Sequence, residues 1–242
     1  MNSAVKIIGI FFIFSVLVAC QNSVTSSIRD DKSHYANEQP RGSYLNSPEY
    51  LNVQLGIEYM KQKDFGLALS KLKKALAFNP DLAVAHTTIA VLYEELGEYN
   101  LAENHYRRSI ALDANDPRIR NNYGQFLCRQ SKEREGIEQF KLAADNPLYN
   151  TPELPLFNAG SCAMRINDLD QAEVFFRRAL ERQPTMTPAL LNMMRISMKQ
   201  GNYLQARAYL QRYKAGSAHT AETLWAGYQI EEQLGDKDAA AN

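Results

Sequence analysis

The sequence predicts an all-α fold, a right-handed superhelix of antiparallel helix pairs with five full repeats and a partial sixth. Three observations carry this. A small residue recurs along the chain with a period close to thirty-four, and each occurrence is followed by the same short pattern of small and large apolar residues. Prolines stand where second helices should end, at Pro80 and Pro184, where a missing N–H no longer matters and helix continuation is blocked. Hydrophobic residues make up 45% and charged residues 22% of the chain, a globular balance that a stack of units can bury.

The register is clearest in LGIEYMKQKDFGLALSKLKKALAFNP, residues 55–80, which supplies Gly56, Ala68, Leu72, Ala75 and Pro80. The second copy supplies Ala90, Ala102, Tyr106 and Ser109, and the third Gly124, Gly136, Phe140 and Ala143. The fourth supplies Gly160, Ala172, Phe176, Ala179 and Pro184, and the fifth Met194, Ala206, Leu210 and Tyr213. A sixth begins with Gly227 and Ala239. Small residues belong where two helices cross, because they let the backbones approach, and the leucine or aromatic residue fills the hole beneath. This resembles the tetratricopeptide pattern of repeated helix pairs, in which stability is approximately a sum of unit and nearest-neighbour terms.

In chain order, residues 1–19 read as a signal peptide. Lys6 is the positive leader and Ile7 to Val18 the apolar stretch, shorter than the roughly 20 residues of a membrane-spanning helix. The run ends Leu17-Val18-Ala19-Cys20, which resembles the bacterial lipobox, in which the cysteine is acylated and becomes the first mature residue. Several acyl chains on Cys20 would give a stable membrane anchor. Gln21 is not the aspartate that retains lipoproteins in the inner membrane, so the resemblance implies the outer membrane, lipid-anchored on its periplasmic face. Residues 20–47 form the lipidated cysteine and a flexible tether, rich in Asn, Ser and Asp and nearly free of apolar side chains. The repeat domain is expected over 48–242.

Unit starts at Glu49, Ala83, Pro117, Glu153 and Thr187 give spacings of 34, 34, 36 and 34. The two additional residues fall in Asp145 to Pro155, where three prolines dictate a stiff loop: either a long connection or a partner-facing element. In a tetratricopeptide superhelix the second, fifth, ninth, twelfth and thirteenth residues of each unit line the inner groove. Here they include Tyr50, Val53, Ile57 and Met60 in the first unit and Thr87 and Val91 in the second. Asn121 and Gln125 follow in the third, Phe157 and Met164 in the fourth, and Leu191 and Arg195 in the fifth. Such a groove, apolar at its amino-terminal end and mixed basic-apolar beyond, suits an amphipathic helix or extended peptide. Val53 and Ile57 stand where the carboxylate clamp of chaperone-binding relatives has Lys and Asn, which argues against a chaperone-tail receptor.

Cys128 and Cys162 occupy first helices of adjacent units, so a disulfide is expected in an oxidising compartment; the alternative is two reduced, buried thiols. Zero net charge, from 27 Lys and Arg against 27 Asp and Glu, argues against a nucleic-acid partner. His34, His86, His105 and His219 have no metal-ligand spacing, and no HExxH, GxSxG, P-loop or GxGxxG is present. No catalysis, metal, cofactor or small-molecule substrate is expected.

LYEELGEYNLAENHYRRSIALD, NNYGQFLC, DNPLYNTPE and AETLWAGYQIEEQLGD resemble the type IV pilus biogenesis lipoproteins called PilF or PilW. The likeness runs from about Tyr50 to the end and includes the lipobox. It implies a pilotin: a scaffold that binds the secretin subunit, promotes its outer-membrane localisation and multimerisation, and so supports fimbriae and twitching motility. The repeats and the lipobox fit equally a general periplasmic adaptor for cell-envelope enzymes or proteases.

Overall fold

The computed structural model describes residues 46–236. Among them are eleven α-helices and no strand: α1 (Pro48–Lys61), α2 (Phe65–Phe78), α3 (Ala83–Glu95), α4 (Tyr99–Leu112), α5 (Pro117–Arg129), α6 (Glu133–Ala144), α7 (Glu153–Arg165), α8 (Leu169–Arg182), α9 (Thr187–Lys199), α10 (Tyr203–Lys214) and α11 (Ala221–Leu234). They pack as five successive pairs, α1 with α2 through α9 with α10, and α11 lies against α10. The signal peptide, Cys20, the tether up to residue 45 and residues 237–242 lie outside the described residues.

Local chemistry sets the helix ends. Asp64 caps α2 by accepting from the Leu67 amide at 3.0 Å, and Asp168 caps α8 through Gln171 at 3.1 Å. Thr220 and Thr223 form a reciprocal capping box that starts α11. The turn inside each unit passes through the left-handed region at Lys63, Gly97, Ser131, Asn167, Gly201 and Gly235. That series repeats the unit spacing, although glycine, which adopts this conformation without strain, holds only three of the six places.

Within a unit the small-residue rule has a direct geometric cause. A Cβ on Gly56 would sit 2.6 Å from the Leu72 side chain, and one on Gly160 would sit 2.8 Å from the Phe176 ring. Leu72 and Phe176 are fully buried, filling the space each glycine leaves. The sixth unit departs from the expected register. Its helix starts at Ala221, thirty-four residues after Thr187, so Tyr228 and not Gly227 takes the place of Gly56 and Gly160. Gly227 instead faces the preceding unit, where an added Cβ would meet Leu210 of α10 at 3.4 Å.

Between units, the third and seventh positions make the interface. Ala85 with Ile89, Ile119 with Tyr123, and Ala189 with Met193 are all buried there. Their first-unit counterparts, Leu51 and Leu55, have no preceding unit among the described residues and are 44% exposed. A second layer of ties runs from second helices back to the loop before their own unit. Arg108 pairs with Asp81 at 2.5 Å, Arg178 with Asp145 at 3.0 Å, and Arg212 Nη2 donates to the Pro184 carbonyl at 3.0 Å. These contacts are exposed, and each contributes below about 1 kcal/mol. The longer third-to-fourth connection is pinned by Asn146, whose Nδ2 donates to the Asn115 carbonyl at 2.7 Å. Leu148 at its tip is 85% exposed.

Candidate functional site

The first helices of the first four units touch one another, α1 to α3, α3 to α5 and α5 to α7, and so create a surface of first-helix side chains, which α9 extends through Leu191, packed against the same core cluster as Phe157. At its amino-terminal end Tyr50, Ile57, Met60, Val84 and Val91 are half-buried, each leaving part of its apolar surface open. At the other end Leu154, Phe157, Met164, Leu191 and Met198 do the same. Arg118, Gln125 and Arg129 lie between the two apolar zones.

Three expected lining residues are interior instead. Val53 packs in the core with Ala68, Leu72, Ala85 and Ile89. Thr87 is buried with its hydroxyl 2.6 Å from that of Ser109, which donates to the Ala83 carbonyl at 2.8 Å. Asn121 is buried and accepts from Asn158 Nδ2 at 3.0 Å, stitching α5 to α7. The fifth position is covered from two sides: Val53 and Thr87 meet their own second helix through Leu72 and Ser109, and Val53 and Asn121 meet the first helix of the next unit through Ala85 and Asn158. The larger Phe157 and Leu191 outgrow that cover in the fourth and fifth units and are half-exposed. Cys128, at a lining position, is withdrawn from the surface by a disulfide to Cys162 that spans a Cα–Cα distance of 6.0 Å.

The expected basic character of the far end is also modified. Arg129 pairs with Glu94 at 2.6 Å, Arg165 with Glu133 at 3.4 Å, and Arg195 with Glu222 at 2.5 Å. Glu94 further accepts from the hydroxyl of Tyr106 at 3.4 Å, and burial raises the Tyr106 phenol well above its usual range. Each of these guanidiniums thus meets a carboxylate within the protein, leaving the inner surface closer to neutral than its residue types imply.

The fold also joins two histidines that lie nineteen positions apart in the chain. His86 Nε2 lies 3.1 Å from the Pro80 carbonyl, which can only accept, so that nitrogen carries the proton. Its Nδ1 then accepts from His105 Nδ1 at 3.0 Å, and the Tyr93 ring lies beside His105 at 5.6 Å. Burial, followed by the neighbouring His86, pushes His105 down to about 4. In the unfolded chain its value is near 6.5, so the folded state binds fewer protons. The contribution is complete above pH 6.5 and is lost as pH falls towards 4. Because His105 is half-exposed and solvent screens the effect, we expect a loss of about 1–2 kcal/mol between pH 7 and pH 4.5. Urea midpoints at the two pH values would measure it, and His105→Gln should remove most of the difference.

Among the described residues no group of three or more His, Cys, Asp or Glu is arranged to hold a metal ion. The sequence signal that would have exposed the buried fifth position is residue size: Val53, Thr87 and Asn121 are smaller than Phe157 and Leu191. No comparable signal announced the histidine pair.

The tetratricopeptide repeat family pattern matches residues 59–125 and 163–222. The chain is 27% identical over 231 residues to the type IV pilus assembly protein PilF of Pseudomonas aeruginosa, covering 95% of this chain and 88% of that protein. Its structure is similar to that of PilF from Pseudomonas aeruginosa, with a TM-score of 0.72 and 28% identity over 80% of this chain and 87% of the other. It is similar also to the crystal structure of PilW, described as a widely conserved type IV pilus biogenesis factor. There the TM-score is 0.69, with 29% identity over 81% of this chain and 90% of the other.

Proposed function

We propose that this chain, which belongs to the tetratricopeptide repeat family and is a PilF/PilW-like member of it, is a pilotin of type IV pilus biogenesis. In this reading Cys20 anchors it by lipid to the periplasmic face of the outer membrane. The repeat domain binds the secretin subunit and promotes its localisation and multimerisation. The observation that carries the reading is the first-helix surface, apolar at both ends with its arginines already neutralised. Such a surface favours an apolar segment of a partner over a highly charged one, as expected for an unassembled membrane-bound subunit. A lipid anchor would add local concentration without requiring any new contact.

Deleting the gene and assaying outer membranes for heat-resistant secretin multimers tests this directly. Loss of multimers, restored by the wild-type gene, supports the pilotin reading. Normal multimers with normal pili would sink it in favour of a lipid-anchored adaptor with another client. Cys20→Ser should leave the repeat domain folded and move it out of the membrane fraction.

The lining makes a sharper prediction. Val53 is unsuitable for it, since a charge in the core would unfold the first unit. Ile57→Glu with Met60→Glu places charges at half-exposed positions of the same surface. Because burying such a side chain is worth about 1.5–3 kcal/mol, capture should weaken at least ~10-fold while far-UV circular dichroism stays unchanged. Unaltered affinity would move the binding site to another face.

A further inference from the structure

The exposed face of α11, where Trp225 takes the fifth position held by Phe157 and Leu191 in the preceding units, points to a docking surface at the carboxyl end of the array: we propose that it receives a basic amphipathic helix of a partner protein. The fold itself supplies the template. In the five preceding units the eighth position is covered by that unit's own second helix; Ala90 and Met194 are 0% and 1% exposed there. Met194 lies in one cluster with Ala206 and Leu210 of α10. On α11 the equivalent position is Tyr228, which is 41% exposed and stacks on Trp225, with ring centroids 5.3 Å apart. Trp225 is 61% and Leu224 58% exposed. The opposite face of α11 is firmly seated through Thr223, Ala226 and Ile230. At the eighth position, therefore, α11 leaves open what a helix covers in every other unit.

Charge selects the occupant. α11 contains three glutamates and no cation. Glu222 and Glu231 are paired with Arg195 and Arg207, whereas Glu232 is exposed on the outward stripe beside Tyr228. The carboxyl end of the helix adds negative potential at the same place. A helix that lays apolar residues against Leu224, Trp225 and Tyr228 and brings lysine or arginine to Glu232 matches both properties.

Trp225 is the single tryptophan of the chain, so its emission reads this face alone. The probe is a synthetic peptide with the sequence of α2, FGLALSKLKKALAF, which has three lysines, no acid and the small-residue spacing of a second helix. Added to the full chain, it should give a saturable blue shift. A control peptide with the three lysines replaced by glutamate should bind at least ~10-fold more weakly. Leu224→Glu with Tyr228→Ser, both at exposed positions, should abolish the shift while leaving helicity intact. No shift, or equal binding of both peptides, overturns the proposal. It is also overturned if emission shifts blue with protein concentration alone, which makes a second copy the occupant. A red shift on removal of residues 237–242 would make the chain's own terminus the cover and would overturn it as well.

Discussion

Replacing Phe176 by alanine is expected to destabilise the protein by about 4 kcal/mol. Phe176 is fully buried and packs where α7 and α8 cross, its ring within 2.8 Å of where a Cβ on Gly160 would lie. Alanine would leave a ring-sized void that two closely packed helix backbones cannot collapse into. Phe157 leans on the same ring at 5.6 Å, so the damage would reach the first-helix surface. The fourth unit lies inside the array, and nearest-neighbour coupling means that its loss also uncouples the units on either side. Phe176→Leu should cost about 1.5 kcal/mol or less, because leucine fills the same place in the first and fifth units as Leu72 and Leu210. Chemical denaturation of the three forms would measure both values. Equal midpoints for alanine and phenylalanine would mean that the crossing of α7 and α8 does not constrain packing.

Removing the Cys128–Cys162 bridge is expected to cost about 3 kcal/mol. The bond joins α5 to α7 and closes a loop with a sequence separation of 34 that contains all of α6. Its principal effect is to restrict the unfolded chain, so Cys128→Ser with Cys162→Ser should lower the denaturation midpoint while leaving the native fold unchanged. Because unit contacts are local, the weakening should concentrate at the third-to-fourth interface and separate one cooperative transition into two. Denaturation with and without reductant provides the check; coincident curves would contradict the expectation. The site around the bridge leaves little room for repair. A Cβ on Gly136 would come within 2.6 Å of the Cys128 sulfur and 2.8 Å of the Gly124 carbonyl oxygen, so Gly136→Ala should also destabilise.

Much of the fold was legible because helix packing writes a linear record. Pairs such as Gly160 with Phe176 recur at the period of the unit, and the helix starts at Ala83, Pro117, Glu153 and Thr187 coincide with the expected unit starts. The sixth unit misled because Gly227 imitates the small-residue position while its helix start places Tyr228 there. Of the expected lining, Ile57, Met60, Phe157 and Met164 keep part of their surface open, whereas Val53, Thr87 and Asn121 do not. Position within a repeat specifies the direction of a side chain, but exposure depends also on its length and on the neighbour that meets it.

The sequence alone determined the helix pairs, their register and the residue types at each crossing, because these follow from apolar periodicity within about thirty-four residues. Tertiary structure alone decided which lining residues face outward, which arginines are neutralised, and that His86 meets His105. Arg129 finds Glu94 from the neighbouring unit, and Trp225 is exposed because no helix of the described residues covers α11 as second helices cover the other units. Burial and electrostatic pairing sum over neighbours in space, and a one-dimensional pattern specifies those neighbours only once the units have stacked.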